Sequence, residues 1–379
     1  MLDQISQFIR EKFHTNDFIP LHEPKFVGSE KDLLNKTIDS TFVSSVGEYV
    51  DQFEQNISSF TQSSHAIAVM NGTAALHLSM LLAGVKPGDL VITQALTFVA
   101  TCNAISYCNA EPILLDVDKK TLGLCPIALE SWLDENAIFD QKGICVLKKS
   151  MRPIKACIPM HTFGHPVEID SIINICKKWK IAVVEDAAES LGSLYKNIHT
   201  GTFGLMGTLS FNGNKIITTG GGGAILCNQA LYTKGKHLST TAKVPNDIHF
   251  VHDQIGFNYR MPNLNAALGC AQLESLNLFV EKKRNLAMEY QEFFKDSDFY
   301  FFTEPENCRS NYWLNTIFCQ DEAHRDEFLF SMNNQKIMTR PIWTPMNKLQ
   351  MFSNALNDGL PNTAWLAARV VNIPSSVTL

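Results

Sequence analysis

One lysine, Lys215, stands in a setting that suits covalent chemistry with a carbonyl compound. The segment 209–224 reads LSFNGNKIITTGGGGA, so the lysine follows the end of a predicted strand and precedes four consecutive glycines. A lysine amine can bond covalently to a carbonyl carbon, and glycines allow the backbone to approach a ligand closely. Taken in isolation, the segment is better explained as a surface hairpin with a solvated lysine. The phosphate-binding pattern G-x-x-x-x-G-K-S/T of nucleoside triphosphatases is not present there.

Two carboxylates, Glu185 and Asp186, come at the end of a predicted buried strand in the segment IAVVEDAAESLGS, 181–193. In open α/β sheets, ligands bind at the carboxyl ends of the strands. A carboxylate there could keep a ring nitrogen of a heterocyclic ligand protonated by charge pairing, or Asp186 could simply cap a helix. Both interpretations stay open at this point. Glu189 follows three residues after Asp186, and we expect it to face the same crevice.

The sequence Asn71-Gly72-Thr73 opens a predicted helix directly after another strand. Free backbone N–H groups and the Thr73 hydroxyl at a helix start can bind an anion, although an ordinary threonine cap would look the same. Phe98 stands just past a further strand, where its ring could lie against a planar ligand. A core phenylalanine is the commoner explanation for such a residue.

The segment GFNYRM, at 256–261, places the polar residues Asn258 and Arg260 where the character of the chain changes. Such residues could face a ligand at a domain junction. The segment could equally be a structured linker in which the arginine forms a salt bridge.

The composition limits the classes of function. The chain has 379 residues, of which 45% are hydrophobic, enough for one large globular domain and a smaller one. The formal net charge is -6 and no long basic tract is present, so we expect no nucleic-acid partner. Neither a secretory leader nor a long apolar run is visible, so we expect no membrane partner and a cytoplasmic location. The ten cysteines include no C-x-x-C pair, so neither a disulfide framework nor a metal site is predicted.

Between about residues 60 and 230, short apolar runs alternate with helical patterns. Runs of this kind fit strands that are buried on both faces. The predicted fold class is therefore α/β, with a mostly parallel central sheet flanked by helices. The runs are 66–69, 90–93, 112–115, 156–158, 181–184, 208–211 and 224–226.

The pattern changes after about residue 253. A long helical pattern covers about 262–294, and aromatic strand-like segments follow it. We predict three parts: an N-terminal helix and arm at 1–30, a large α/β domain at 31–252, and a small C-terminal α+β domain at 253–379.

Taken together, these motifs resemble a known family. In this order and spacing, NGTAAL, TFVAT, VEDAAES, SFNGNK, GGGGA and GFNYRMPNLNAALG are similar to the fold-type-I pyridoxal phosphate enzymes, in particular the nucleotide-sugar aminotransferases of the DegT group. The resemblance covers nearly the whole chain. The segments IDSTFVSSVGEYVDQFE and TRPIWTPMNKLQ, with the NGNK form of the lysine motif, look most like the aminotransferases of legionaminic acid biosynthesis. The bacillosamine-type enzymes are the next closest.

The resemblance implies a fold-type-I aminotransferase fold, pyridoxal 5′-phosphate as cofactor, and a role for each matching residue. Lys215 falls on the family's Schiff-base lysine, which also moves a proton during the reaction. Asp186 falls on the aspartate that pairs with the pyridine nitrogen. Gly72, Thr73 and Ser210 fall on positions that bind the cofactor phosphate.

Three further positions follow from the same resemblance. Phe98 falls on the aromatic position that stacks on the cofactor ring. Glu189 stands where many members have a glutamine bonded to the 3′-oxygen of the cofactor, and we interpret the glutamate as the mark of a subgroup. Asn258 falls on a position that reaches the cofactor phosphate of the neighbouring subunit, which implies a homodimer with shared active sites.

The implied reaction is a transamination in two half-reactions. An amino donor, expected to be L-glutamate, converts the cofactor to pyridoxamine phosphate. The amine then passes to C4 of a nucleotide-linked, N-acetylated 4-keto-6-deoxy hexose and gives a 4-amino-4,6-dideoxy sugar for the bacterial cell surface. The substrate diphosphate needs cations, and Arg260, Lys336 and Arg340 are candidates by charge alone. Exposed lysines and arginines usually only solvate a surface.

Alternative functions stay open within this resemblance. A deoxysugar dehydratase of the same fold would use the same cofactor, but the family's dehydratases have a histidine where Lys215 stands. A non-catalytic ligand-binding or regulatory member is a second alternative, against which no DNA-binding extension is visible. Other fold-type-I reactions, such as acyl transfer or cysteine desulfuration, form a third.

Overall fold

The seven short apolar runs of the sequence form seven strands of one eight-stranded sheet in the computed structural model, which describes residues 1–246 and 248–378. The eighth strand, Leu356–Asn357, was not predicted. The helices are α1 (Leu2–Phe13), α2 (Glu30–Asp39), α3 (Glu48–Thr61), α4 (Gly72–Leu82), α5 (Val99–Tyr107), α6 (Pro126–Asn136), α7 (Ile169–Lys178), α8 (Gln229–Ser239), α9 (Asn263–Glu274), α10 (Leu276–Phe294), α11 (Glu322–Asn334) and α12 (Pro361–Ala367). The strands are β1 (His65–Val69), β2 (Leu90–Gln94), β3 (Glu111–Leu115), β4 (Ala137–Phe139), β5 (Cys145–Leu147), β6 (Ile154–Ile158), β7 (Ala182–Asp186), β8 (Leu194–Tyr195), β9 (Ile198–His199), β10 (Met206–Ser210), β11 (Gly223–Cys227), β12 (Lys243–Val244), β13 (Val251–His252), β14 (Tyr300–Phe301), β15 (Cys308–Arg309), β16 (Asn315–Phe318), β17 (Arg340–Pro341), β18 (Leu356–Asn357) and β19 (Val370–Ile373).

The large sheet is mostly parallel. Its strand order is β1-β11-β10-β7-β6-β2-β3-β18, and β11 is the strand that runs against its neighbours. The inner strands are buried on both faces, which explains why their sequences are continuous apolar runs rather than alternating ones. The predicted α/β fold class is therefore confirmed.

The strand directions bring several candidate residues to one edge of this sheet. In the parallel pair β7 and β10, Asp186 lies opposite Thr208, so Asp186 and Ser210 end at the same edge. The reversed strand β11 begins at that edge, where Gly223 pairs with both Ser210 and Val69. The carboxyl ends of parallel strands are where ligands bind in open α/β folds.

A second, four-stranded sheet of order β14-β16-β19-β17 contributes Phe318 and Val370 to the cluster that packs on the large sheet, and Ile317 and Val371 to a second cluster. There α1 contributes Ile5 and Ile9, which pack in one cluster with Tyr290 of α10 and Phe328 of α11. The N-terminal helix therefore lies with the small domain in space, although the two are far apart in sequence.

The long helix predicted over about 262–294 is wrong in one respect, because Ser275 separates α9 from α10. Serine favours helix ends over helix interiors because its hydroxyl competes for backbone hydrogen bonds. The first of the two helices, α9, packs against α2 and α3 and shares the core of the large domain. The first part of α10 packs in the same cluster through Leu276 and Val280, and the helix joins the second cluster only from Leu286 onward. The domain division at residue 253 stays a prediction.

All ten cysteines lie in the described part of the chain and are free thiols. In that same part, no helix combines the length and the apolar character that a bilayer crossing requires.

Phe53 packs against Phe211, the residue at the start of the turn that carries Lys215. Its side chain is fully buried and meets the ring of Phe211 edge-on, with 5.1 Å between the ring centroids. We expect Phe53→Ala to lower the free energy of unfolding by about 3–5 kcal/mol, measured by urea denaturation, because a large cavity replaces the ring. The matched control is Phe330→Ala, since the Phe330 side chain is 72% exposed. A change of similar size in both variants would contradict this account of the core.

Candidate active site

A cavity of about 340 Å³ opens at the carboxyl edge of the large sheet. It collects residues from the start of α4, the ends of β7 and β10, the turn after β10, and two tryptophans from the C-terminal part of the chain. Seven of the residues that the family resemblance selected line it together: Gly72, Thr73, Phe98, Asp186, Glu189, Ser210 and Lys215. The structure therefore places these residues around one space, although Gly72 and Lys215 lie 143 positions apart in the chain.

Lys215 points into this cavity rather than into solvent. Its side chain is only 12% exposed, which rules out the solvated surface hairpin. The turn that carries it is closed by the Lys215 N–H, which donates to the Asn212 carbonyl at 3.0 Å. The Nζ atom lies 3.3 Å from Oε1 of Glu189 and 4.0 Å from the ring centroid of Trp313. A buried amine is thus held between a carboxylate and an aromatic face.

Glu189 is the buried partner of this amine. Its second oxygen, Oε2, accepts the backbone N–H of Phe163 at 2.9 Å. Burial raises the pKa of Glu189 to about 7, while the nearby Lys215 and the Phe163 N–H pull in the opposite direction. Near neutral pH this carboxyl can therefore accept or release a proton beside the amine.

Asp186 is held rigidly at the end of β7. Its Oδ2 accepts the Thr101 hydroxyl at 2.8 Å, and its Oδ1 accepts the Ala188 N–H at 3.2 Å. Burial raises the pKa of Asp186, and the Thr101 hydrogen bond opposes this shift. The residues after Asp186 form turns, so the helix-capping interpretation is wrong and the carboxylate faces the cavity.

Its neighbour Glu185 has a different function. Because successive side chains alternate across a strand, Glu185 faces away from the cavity. There its carboxylate accepts the backbone N–H groups of Gly201, Phe203 and Gly204 at 2.7–2.8 Å, and it lies 3.1 Å from Nε2 of His161. These bonds satisfy a fully buried charge and anchor the loop before β10.

The start of α4 forms a cradle for an anion. The Asn71 side chain caps the helix by accepting the Ala74 N–H at 2.8 Å. Among the described residues, the N–H groups of Gly72 and Thr73 find no acceptor. A Cβ atom on Gly72 would lie only 2.9 Å from the Cβ of Ser210, so the cradle requires glycine there. Backbone N–H groups and a serine hydroxyl at a helix start suit a phosphate.

Phe98 completes the cavity on another side. Its ring is 48% exposed, so it is not a core phenylalanine, and it lies 6.4 Å from the ring of Trp343. The site thus offers an amine, an opposing carboxylate, an anion cradle and an aromatic wall. These features fit pyridoxal phosphate, a planar heterocycle with a ring nitrogen, a carbonyl group and a phosphate.

Four predicted residues lie elsewhere. Asn258 is exposed, and its Oδ1 accepts the Arg260 Nε–H at 3.0 Å outside the cavity. Lys336 is exposed beyond the end of α11. The Arg340 guanidinium donates to its own neighbours, the side chain of Asn333 at 3.1 Å and the Thr339 carbonyl at 3.0 Å. None of these three cations lines the cavity of its own chain.

Two tryptophans that line the cavity, Trp313 and Trp343, are not among the predicted site residues. Trp313 lies in an aromatic, strand-like segment, and Trp343 lies in the segment TRPIWTPMNKLQ. The chain has only five tryptophans, so their rarity was the available signal. Nothing in the local pattern shows which of the five face a ligand.

Comparisons with known proteins agree with this geometry. Residues 25–379 match the model of the DegT/DnrJ/EryC1/StrS aminotransferase family. A GDP-perosamine synthase of Escherichia coli O157:H7 is 35% identical over 363 residues, which cover 96% of this chain and 94% of that protein. EpsN of Bacillus subtilis (strain 168), described as a pyridoxal phosphate-dependent aminotransferase, is 36% identical over 340 residues, which cover 89% of this chain and 84% of that protein. The solved structure of Helicobacter pylori PseC, an aminotransferase involved in pseudoaminic acid biosynthesis, superposes with a TM-score of 0.85 at 23% identity over 94% of both chains, so the predicted aminotransferase fold is confirmed.

Replacing Glu189 by glutamine changes how stability depends on pH. Burial raises the pKa of Glu189 from its ordinary 4.5 to about 7, so between these values the folded chain holds a proton that the unfolded chain has released. The free energy of unfolding of the wild type therefore falls as the pH rises through this range. Relative to the wild type, we expect the free energy of unfolding of Glu189→Gln to rise by about 1–3 kcal/mol as the pH increases from about 4.5 to about 8. Urea denaturation of the cofactor-free proteins measures this difference.

The control for this measurement is Glu281→Gln, which removes an exposed glutamate on α10. Its difference from the wild type should stay constant with pH. A constant difference for Glu189→Gln as well would show that the Glu189 carboxyl ionises like an exposed one.

Proposed function

Because this chain belongs to the DegT/DnrJ/EryC1/StrS aminotransferase family and is a pyridoxal phosphate-dependent sugar aminotransferase, we propose that it aminates a nucleotide-linked 4-keto-6-deoxy hexose. L-Glutamate is the proposed amino donor, and the proposed product is a 4-amino-4,6-dideoxy sugar. The observation that carries the proposal is the Lys215 amine, 3.3 Å from the Glu189 carboxylate and in one cavity with Asp186 and the anion cradle.

Each part of the cavity has a task in this reaction. Pyridoxal phosphate, when bound, supplies a protonated ring that withdraws electrons from the substrate carbon and makes its proton removable. Asp186 keeps a proton at the ring nitrogen through its negative charge. The N–H groups of Gly72 and Thr73 and the Ser210 hydroxyl bind the phosphate. Lys215 removes the proton from the substrate carbon and returns a proton during transfer.

Glu189 supports Lys215 in this task. A carboxyl whose pKa lies at about 7 can hold a proton at one stage and release it at another without large cost. Its distance of 3.3 Å from the Lys215 Nζ lets it compensate the ammonium charge whenever the amine is protonated. The burial of both groups strengthens this interaction.

Two more specific substrates are proposed, each on its own ground. The segments IDSTFVSSVGEYVDQFE and TRPIWTPMNKLQ support an N-acetylated 4-keto sugar of the legionaminic acid or bacillosamine type. A second candidate, a GDP-linked 4-keto-6-deoxy hexose, is favoured by the relative named GDP-perosamine synthase. Both candidates require the same amino transfer at C4, so the chemistry of the site does not depend on the choice.

A homodimer with shared active sites completes the proposal. Among the described residues that line the cavity, Lys215 is the only basic one, so the substrate diphosphate needs cations from elsewhere. Asn258 and Arg260 form an outward-facing pair that a second copy of the chain could present to this cavity. Ile248, Phe250 and Ile255 nearby are at least 80% exposed, which suits an interface between two copies. The free thiols support a reducing compartment, and we propose the cytoplasm.

The substrate can be identified with a panel of UDP-, GDP- and dTDP-linked 4-keto-6-deoxy sugars, each with and without an N-acetyl group. With L-glutamate, we expect the protein to form 2-oxoglutarate and one amino sugar, followed by mass spectrometry. Lys215→Ala should lose the visible absorption band of the lysine-bound cofactor and at least about 100-fold in turnover. Loss of water from the sugar without amino transfer would support a dehydratase instead. An unchanged band in Lys215→Ala would remove this lysine from the mechanism.

Sharing of the active site can be tested by mixing inactive chains. We expect Lys215→Ala and Asn258→Asp each to be inactive alone, the second because its added charge repels the cofactor phosphate. Random pairing makes half of the dimers mixed, each with one intact site, so about a quarter of the wild-type activity should return. Mixing Lys215→Ala with Asp186→Asn is the control, because both residues act within one chain and no intact site forms. Recovery in neither mixture would contradict a shared site.

A further inference from the structure

Trp313 contacts the lysine turn in two independent ways. The Lys215 Nζ atom lies over its ring, 4.0 Å from the centroid. Its indole Nε1–H donates to the backbone carbonyl of Asn214 at 2.7 Å, one residue before the lysine. The tryptophan is buried, so its ring forms a fixed platform under the amine.

Hydrogen bonds through Asn311 connect Trp313 to Glu189, the partner of Lys215. The backbone N–H of Trp313 donates to Oδ1 of Asn311 at 2.8 Å. The Nδ2 group of Asn311 donates to the carbonyls of Glu189 and Leu191, both at 2.9 Å. Asn311 is fully buried, so these bonds do not exchange readily with water. The segment 311–313 therefore ties the amine and the carboxylate to one rigid element.

The fit around Asn311 leaves little freedom. A Cβ atom built on Gly164 would lie 1.9 Å from Oδ1 of Asn311, and Gly164 has a φ angle of +96°. Both the space and the backbone conformation therefore require glycine at this position. Gly164 therefore leaves the space that Asn311 needs, and Asn311 in turn holds Trp313.

An aromatic face attracts a cation because its ring carries negative charge density on both faces. A lysine side chain has four rotatable carbon–carbon bonds and loses much freedom when it is fixed. Glu189 alone would leave the ammonium free to swing around one contact. The Trp313 ring adds a second contact on another side, so the two together define one position for Nζ.

We propose that Trp313 is a positioning residue that holds the free Lys215 ammonium at the point from which it moves its proton. This inference rests on the proposed role of Lys215 as the proton-transferring lysine. Trp313 acts in two ways: its ring face fixes Nζ, and its indole N–H fixes the turn through Asn214. A tryptophan that only filled the core would do neither.

The test measures the Lys215 amine directly in cofactor-free protein. Lys215 is acylated with limiting acetic anhydride, and its modified peptide is quantified by mass spectrometry. We expect Trp313→Leu to raise the acylation rate of Lys215 about tenfold, because the ammonium loses the ring that stabilises it. Trp313→Phe keeps an aromatic face and should stay within about threefold of the wild type. Equal rates in the two variants would overturn the role of the ring.

A matched control exists on the surface. Lys119 lies over the ring of Trp365, with Nζ 4.2 Å from the centroid, and it is exposed. Trp365→Leu should leave the acylation of Lys215 unchanged. A rise at Lys215 in this variant would show that any lost tryptophan loosens the chain, and would contradict a specific role for Trp313.

A second measurement does not depend on the folding of a variant. Biosynthetic replacement of tryptophan by mono-, di- and trifluorotryptophan weakens the negative face of the ring and changes the packing little. We expect the acylation rate of Lys215 to rise stepwise with fluorination. A rate independent of fluorination would overturn the proposal even if Trp313→Leu did not fold.

The holoenzyme gives a further readout. With α-deuterated L-glutamate, Trp313→Leu should lower kcat and raise the primary isotope effect on it, while KM changes less than about threefold. Trp313→Phe should recover most of the kcat. Since acylation needs neither cofactor nor substrate, a failed substrate panel with the expected acylation pattern would count against the proposed function alone. If the substrate panel yields the expected amino sugar but the acylation rate of Lys215 is the same in all variants, only the proposed role of Trp313 is contradicted.

Discussion

The cavity at the carboxyl edge of the large sheet is organised around one buried ion pair, in which the Lys215 Nζ lies 3.3 Å from the Glu189 carboxylate. Two charges taken out of water are costly unless each finds a close partner and further hydrogen bonds. Here the amine also meets an aromatic ring, and the carboxylate also accepts the Phe163 N–H. The same burial that makes the pair costly gives Glu189 a pKa of about 7, which suits proton transfer at neutral pH.

The parallel sheet determines where that point lies. Asp186 ends β7 and Ser210 ends the neighbouring strand β10, so both reach the same edge. The alternation of side chains along β7 then separates two adjacent carboxylates: Asp186 faces the cavity, and Glu185 binds three backbone N–H groups on the other side. Two neighbours in sequence thereby have different surroundings: Asp186 lines the cavity, and Glu185 holds a loop.

The C-terminal part of the chain completes a site whose lysine and carboxylates come from the large domain. Asn311 binds the backbone of Glu189, and Trp313 binds the backbone of Asn214 while its ring supports Lys215. Trp313 belongs to the same hydrophobic cluster as Phe211 and Ile216 of the lysine turn, so the cavity lies where distant parts of the chain pack into one core. This arrangement couples the position of the amine to the packing of segment 311–313.

The sequence alone determined the α/β class, seven of the eight strands of the large sheet and the motifs around Lys215, Asp186 and Gly72, because buried strands and helix starts leave local patterns in residue type. It could not show which side of a strand Glu185 faces, nor that Ser275 divides a helical pattern, because both depend on neighbouring elements. The positions of Trp313 and Asn311 were also beyond it. Their contacts join residues about 100 positions apart in the chain, as in the 2.7 Å bond from Trp313 to Asn214, and only the folded packing brings such residues together.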